Sequence, residues 1–172
     1  MRTAFFYLTA ILVIASDQLT KWAVMSNLTP GSHPVLGAAV SINPTQNDRS
    51  AFSLFSAHPW VFAAIACVAV VILAVAFHRQ QKRDLWVSAA LALALGGAVG
   101  NGIDRGWLGY VRDFFDVRVI PVFNVADSAI TVAVIVLAWR VVLRPPAPEP
   151  APEAPAIVAQ PGEGADPPAG SG

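Results

Sequence analysis

The chain has 172 residues, of which 55% are hydrophobic and 13% charged, with a formal net charge of zero. Soluble domains are about 45–50% apolar, so a soluble globule of this length is excluded, and nine Phe and five Trp exclude a wholly disordered chain. The balanced charge argues against a nucleic-acid binder, which needs a basic face. The single cysteine, Cys67, excludes an internal disulfide framework and any zinc site built on cysteines.

Taken in chain order, four helical spans are predicted. Residues 4–23 are apolar until Asp17 and Lys21. No small-x-small cleavage site follows them; Ser16-Asp17-Gln18 leads straight to Lys21-Trp22, so this segment is expected to stay as a helix. Residues 60–77 and 85–103 carry no charge over 18 and 19 residues, close to the ~20 needed to cross a bilayer. Residues 122–139 are apolar except for Asn124 and Asp127. Trp22, Trp60, Trp86, Trp107 and Trp139 all fall near predicted span ends, where indole rings favour the headgroup boundary.

After Arg144 the composition changes. Residues 145–172 hold nine prolines, four acids and no base, whereas residues 1–144 hold all 11 Lys and Arg and seven acids. The expected organisation is a membrane domain over 1–144 and a disordered acidic Pro/Ala-rich tail over 145–172. The basic hairpin His78-Arg79-Gln80-Gln81-Lys82-Arg83 places both termini in the cytoplasm by the positive-inside rule.

With four antiparallel spans, the odd polar residues converge. Asp17 and Lys21 end span 1, Asn101 and Asp104 end span 3, and Asn124 and Asp127 begin span 4. The loop between spans 3 and 4 adds Asp113 and Asp116. All these acids therefore fall at the outer membrane face. An aspartate at mid-span costs roughly 2.5–3.5 kcal/mol on insertion scales, so several at one level point to a working site. Asn101/Asp104 and Asn124/Asp127 are each spaced i, i+3, which sets each pair on one helix face. Gly96-Gly97 and Gly100 precede the first pair and admit close helix approach.

The residue types narrow the chemistry. Lys21 is four residues from Asp17, which predicts an ion pair rather than a serine–lysine protease base. His33 and His58 stand alone in loops. Two carboxylates that share a site cannot both ionise easily, hold one proton between them, and serve as a paired base and acid. Asp113, followed by Phe114-Phe115, and Asp127, inside an apolar helix, suit that use. Other readings remain open. One is a purely structural polar network. Another is a Mg²⁺-dependent membrane transferase using Asp104, Asp113 and Asp116. A third is a small transporter with the acids as an ion relay.

Several segments, in order, resemble the lipoprotein signal peptidase (signal peptidase II) family, the membrane aspartyl peptidases of bacteria. They are Asp17-Gln18-Leu19-Thr20-Lys21, Asn47-Asp48-Arg49-Ser50-Ala51-Phe52-Ser53, Gly96-Gly97-Ala98-Val99-Gly100-Asn101-Gly102-Ile103-Asp104-Arg105, Val111-Arg112-Asp113-Phe114, and Phe123-Asn124-Val125-Ala126-Asp127-Ser128. The resemblance implies an all-α integral membrane protein of the bacterial inner membrane, with four transmembrane helices and a small β platform in the first outer loop. Residues 35–42 are compatible with a strand there. It implies cleavage of prolipoproteins before a diacylglyceryl-modified cysteine, by a monomer needing no metal or other cofactor. Asp113 and Asp127 would be the catalytic dyad. Asn47, Asn101, Asp104, Arg105 and Asn124 would shape the site or hold substrate, with Asp17 and Lys21 as support. One departure stands out: Arg49 occupies the glycine position of the family's Asn-x-Gly-Ala-Ala-Phe motif and Ser50 its first alanine. Glycine permits backbone conformations that Arg resists, so this loop is expected to hold substrate differently.

Overall fold

The computed structural model describes residues 1–37, 39–48, 59–80 and 84–142, with the backbone alone at 59, 60, 62, 63, 141 and 142. Arg49, the Ser50-Ala51-Phe52-Ser53 run, His58, Lys82, Arg83 and the 145–172 tail, with the expectations placed on them, lie outside the described residues.

Four helices carry the fold: α1 (Arg2–Asn27), α2 (Pro59–His78), α3 (Leu85–Leu108) and α4 (Val125–Val142). Three strands complete it: β1 (His33–Leu36), β2 (Val40–Asn47) and β3 (Val111–Asp116). Local chemistry sets the helix ends. Asp84 caps α3 by accepting the N–H groups of Trp86 and Val87, which would otherwise lack partners. Gly109 closes α3 at φ 82°, with its N–H on the Arg105 carbonyl, a left-handed position that suits glycine.

The helices overrun their expected bounds except at the start of α3, which is met at Leu85, and at the start of α4. Hydropathy places that start at 122, but Val122 and Phe123 are not helical, and Phe123 forms a bridge with Phe115. Asn124 is therefore the residue before the helix rather than part of a helical face. At the other limit, α3 runs through Asp104-Arg105 to Leu108, because a charged side chain does not end a helix that can satisfy it.

The β platform also differs from expectation. Residues 35–42 are not one strand; they span the β1–β2 hairpin, whose turn includes Gly37 at φ 56°. The platform is not confined to the first loop either. β3, from the α3–α4 connection, pairs with β2, giving an antiparallel sheet in the order β1-β2-β3. The register sets Asp113 opposite Thr45 and Val111 opposite Asn47. His33, expected in a loop, opens β1.

α3 packs against each of the other helices. Contacts at the ends show that the helices alternate in direction. The start of α1 meets the end of α2 through the Phe6–Phe77 ring stack, centroids 3.8 Å apart, and Arg2 donates to Ser88 at the start of α3 at 2.8 Å. Asp84, beside that start, pairs with Arg140 near the end of α4. Phe6, Ala10, Phe77, Leu91, Ala92 and Leu95 form the buried core of this half. The glycines of α3 admit the close approach expected of them. A methyl group on Gly96 would lie 2.6 Å from Val13 of α1, and one on Gly97 would lie 2.5 Å from the Ala126 carbonyl of α4.

The outward faces are apolar, with Leu8, Ile11, Leu12, Val68, Val71, Ile72, Val134 and Ile135 exposed. By length and composition α1 and α3 are long and apolar enough to cross a bilayer; among the described residues the apolar stretch of α2 is the shorter Ala64–His78.

Candidate functional site

The end of the bundle away from the Phe6–Phe77 core is polar, and it holds buried charge. In α1, the i, i+4 spacing brings Lys21 Nζ to 2.7 Å from Asp17 Oδ2, with both side chains fully buried. α3 supplies two further partners: Asp104 Oδ2 at 3.2 Å and Asn101 Oδ1 at 3.0 Å. All three ammonium donors of Lys21 are thus used, and the expected ion pair is one part of a larger network. Asp17 Oδ1 accepts the backbone N–H of Ala126 in the first turn of α4 at 2.9 Å, which joins α1 to α4.

Asn124 organises the next layer. Its Oδ1 accepts the Asp127 N–H at 2.9 Å, and Asp127 Oδ2 accepts the Asn124 N–H at 3.2 Å. This is a reciprocal capping box, and it replaces the single-face reading of the i, i+3 spacing. Asn124 Nδ2 donates to Asp113 Oδ1 at 2.6 Å and to Asn101 Oδ1 at 3.1 Å. Asn101, whose Oδ1 also receives Lys21, must then turn its Nδ2 outward, and it donates to Asp127 Oδ1 at 2.8 Å. Asn101 and Asp104 do share one buried face of α3.

Asp113 sits on β3, only 2% exposed. Its second oxygen accepts from Asn47 Nδ2 of β2 at 2.8 Å. Burial pushes its carboxyl above the ordinary aspartate value; the amide of Asn47 opposes that, and the neighbouring Asp127 charge adds to it. Asp113 opens on a cleft of about 430 Å³ lined also by Thr45, Gln46, Asn47, Asp48, Pro121 and Val122.

Of the sequence-picked residues, Asn47, Asp113, Asn124, Asp127, Asn101, Lys21, Asp17 and Asp104 form one continuous hydrogen-bonded set. Arg105 is half-buried on the α3 turn that carries Asp104. Two members were not picked from the sequence. Arg112 donates from Nη2 to Asp104 Oδ1 at 2.6 Å, from Nε to Asp104 Oδ2 at 3.3 Å, and from its backbone N–H to the same Oδ2 at 3.0 Å. Its Nη2 also reaches Gln18 Oε1 at 2.8 Å. Gln18 Nε2 donates in turn towards Asp17, Asp104 and the Gly100 carbonyl. Both stand in segments that carry the family resemblance, Gln18 beside Asp17 and Arg112 beside Asp113, but nothing in their spacing marks them as partners of Asp104.

The three acids of the transferase reading do not face one another as ligands. Asp104 is taken up by Lys21 and Arg112, and Asp116 accepts the backbone N–H of Arg118 at 2.9 Å. Among the described residues, no group of three or more His, Cys, Asp or Glu side chains is placed so that it could hold a metal ion.

This fold has counterparts among known proteins. Two solved structures, each described as a bacterial membrane enzyme, superpose with TM-scores of 0.74 and 0.76 at 29% and 28% identity. They cover 80% and 81% of this chain and 87% and 94% of their own. The fold is thus that of a bacterial membrane enzyme. The lipoprotein signal peptidase of Moorella thermoacetica is 44% identical over 140 residues, covering 80% of this chain and 93% of its own. That of Bacillus subtilis is 35% identical over 143 residues, covering 80% and 93%. The family model for signal peptidase (SPase) II matches residues 9–143. The chain belongs to the signal peptidase II family, a family of protease hydrolases.

Proposed function

We propose that this protein is an aspartic endopeptidase that removes signal peptides from prolipoproteins before their diacylglyceryl-modified cysteine, with Asp113 and Asp127 as its catalytic pair. The observation that carries this is Asn124. This one residue holds both carboxylates, through its side-chain amide to Asp113 and through the reciprocal capping bonds to Asp127. Two acids gripped by the same residue share a local field, and the Asp127 charge adds to the burial that disfavours the Asp113 anion. Asp113, buried and disfavoured as an anion, keeps its proton; Asp127 is the base. Asp127 takes a proton from water as it attacks the scissile carbonyl. Asp113 polarises the carbonyl oxygen and then protonates the departing amine. Asn47 and Asn101 orient the acids, Arg105 and Asp104 shape the site, and Asp17 and Lys21 support it.

In this reading residues 1–144 form the enzyme, a monomer whose four helices all cross the inner membrane with both termini in the cytoplasm. The site then lies near the outer face, where the scissile peptide meets water while its lipid stays in the bilayer. The apolar faces of the helices and the polar outer end support that placement.

The test is incubation of purified protein with lipidated and unlipidated precursor in the presence of a strong chelator. Cleavage of the lipidated form alone is expected. Asp113→Asn and Asp127→Asn should each lower turnover by roughly 10²–10⁴-fold while the protein stays folded in membranes. Normal turnover by either variant overturns the dyad, and loss of activity to the chelator favours the metal-dependent reading.

A further inference from the structure

We propose that Arg112 is a positioning residue for the reaction: by gripping Asp104 and Gln18 it sets where strand β3 stands and therefore where Asp113 meets its partner. The proposal rests on the dyad reading above and deepens it.

β3 lies at the edge of the sheet, paired to β2 on one side only, so its other side must find partners among the helices. At its far end the Phe114 and Phe115 N–H groups go to the Phe123 carbonyl, at 3.1 and 2.8 Å. At its near end Arg112 supplies side-chain bonds to α1 and α3. The Arg112 backbone N–H, Nε and Nη2 all end on the carboxylate of Asp104, and Nη2 also reaches Gln18. A guanidinium fork on a carboxylate is planar and directional, and it fixes orientation as well as distance. Asp104 is itself immobilised, fully buried and paired with Lys21. Gln18 is tied to Asp17, Asp104 and the Gly100 carbonyl. The strand is thus clamped to the outer ends of both α1 and α3.

Asp113 is the next residue, about 3.8 Å away along the chain. Successive side chains on a strand point to opposite sides. Arg112 can therefore reach back to the helices while Asp113 faces Asn47 and Asn124. Arg112 does not itself line the cleft that Asp113 opens on; it acts through the backbone. Misplacing a reacting group by about 1 Å can cost ~10²-fold in rate.

The experiment measures kcat and KM for a lipidated precursor, across pH, in Arg112→Met, Arg112→Lys, Gln18→Met and Asp113→Asn, each normalised to folded protein in detergent. Arg112→Met should lower kcat by about 10–100-fold and leave KM within about twofold, because Arg112 is not among the residues that line the cleft at Asp113. Removing one positive charge beside two buried aspartates should also move the acid–base limbs of the kcat profile to higher pH. Arg112→Lys keeps the charge but loses the fork, so its pH profile should return towards the parent while kcat stays low. Gln18→Met, which removes one end of the clamp, should show a smaller fall in kcat of the same kind. Parent-like kcat in Arg112→Met, or full recovery of kcat in Arg112→Lys, overturns the proposal. If Arg112→Met does not fold, the lysine and Gln18 variants decide it alone. If Asp113→Asn turns over normally, the dyad reading has failed; if it is inactive while the Arg112 variants are unaffected, only the positioning role has failed.

Discussion

Asp113 pays for its place in the cleft with a carboxyl that resists ionisation. Burial, above all, holds it over its ordinary value of 3.8, so the folded protein binds that proton more tightly than the unfolded chain. The contribution to stability is complete below 3.8, declines as pH rises through the folded value, and is level above it. Asp113→Asn has no such proton to lose. Its unfolding midpoint in detergent should therefore gain on the parent as pH rises across that window and keep a constant lead beyond it. A lead that shrinks with rising pH would mean that the fold favours the anion. The same residue illustrates what a sequence can carry. Asp113 stands out as an acid beside two phenylalanines, and the structure sets it on β3 rather than in a loop, bonded to Asn47 and Asn124. Arg112 beside it did not stand out, because an arginine next to an aspartate reads as a solvated pair until the strand alternation and the buried Asp104 are known.

The elements were legible to different degrees, for separable reasons. Helices α2 and α3 announce themselves by unbroken apolar runs, and their expected bounds fall inside the observed ones. The start of α4 was misplaced because Val122 and Phe123 are as apolar as a helix but serve the sheet. Only the reciprocal bonds of Asn124 and Asp127 mark the true start, and a capping box resembles two residues on one face when only spacing is available. The third strand was missed because six residues of mixed polarity between two spans carry no alternation signal that outweighs a loop. The glycines of α3, by contrast, were readable as a contact surface. A Cβ on Gly97 would stand 2.5 Å from the Ala126 carbonyl and 2.7 Å from Ile130. Gly97→Ala should therefore push α4 outward, cost about 1–3 kcal/mol, and lower turnover, since Asp127 adjoins Ala126. Gly106→Ala is the control. A Cβ there meets nothing within 4 Å, and alanine is the better helix former, so unfolding should be unchanged or slightly harder. Equal damage from both substitutions would argue against the close α3–α4 contact.

For the molecule as a whole, the proposed immersion makes a prediction about the thiol of Cys67, exposed on the outer surface of α2. If that surface faces hydrocarbon, a charged reagent in water does not reach the thiol. A charged maleimide should leave Cys67 untouched in sealed vesicles and modify it promptly once the protein is denatured. Fast labelling of intact vesicles would place α2 in water and contradict the four-span arrangement.

The neutral pairing of Asp17 with Lys21 also bears on how the protein is made. Both residues lie within α1, which is synthesised before α3, whereas Asn101 and Asp104 follow 80 or more positions later. In the proposed four-span arrangement, a newly inserted α1 carries its own counter-charge at i, i+4, so its outer end can wait at the translocon without a bare ion against lipid. Synthesis of α3 and α4 then supplies the remaining ligands for Lys21 and Asp17, and the nascent bundle closes around a pair that was already balanced. Separating those two charges would therefore harm biogenesis before it harmed turnover.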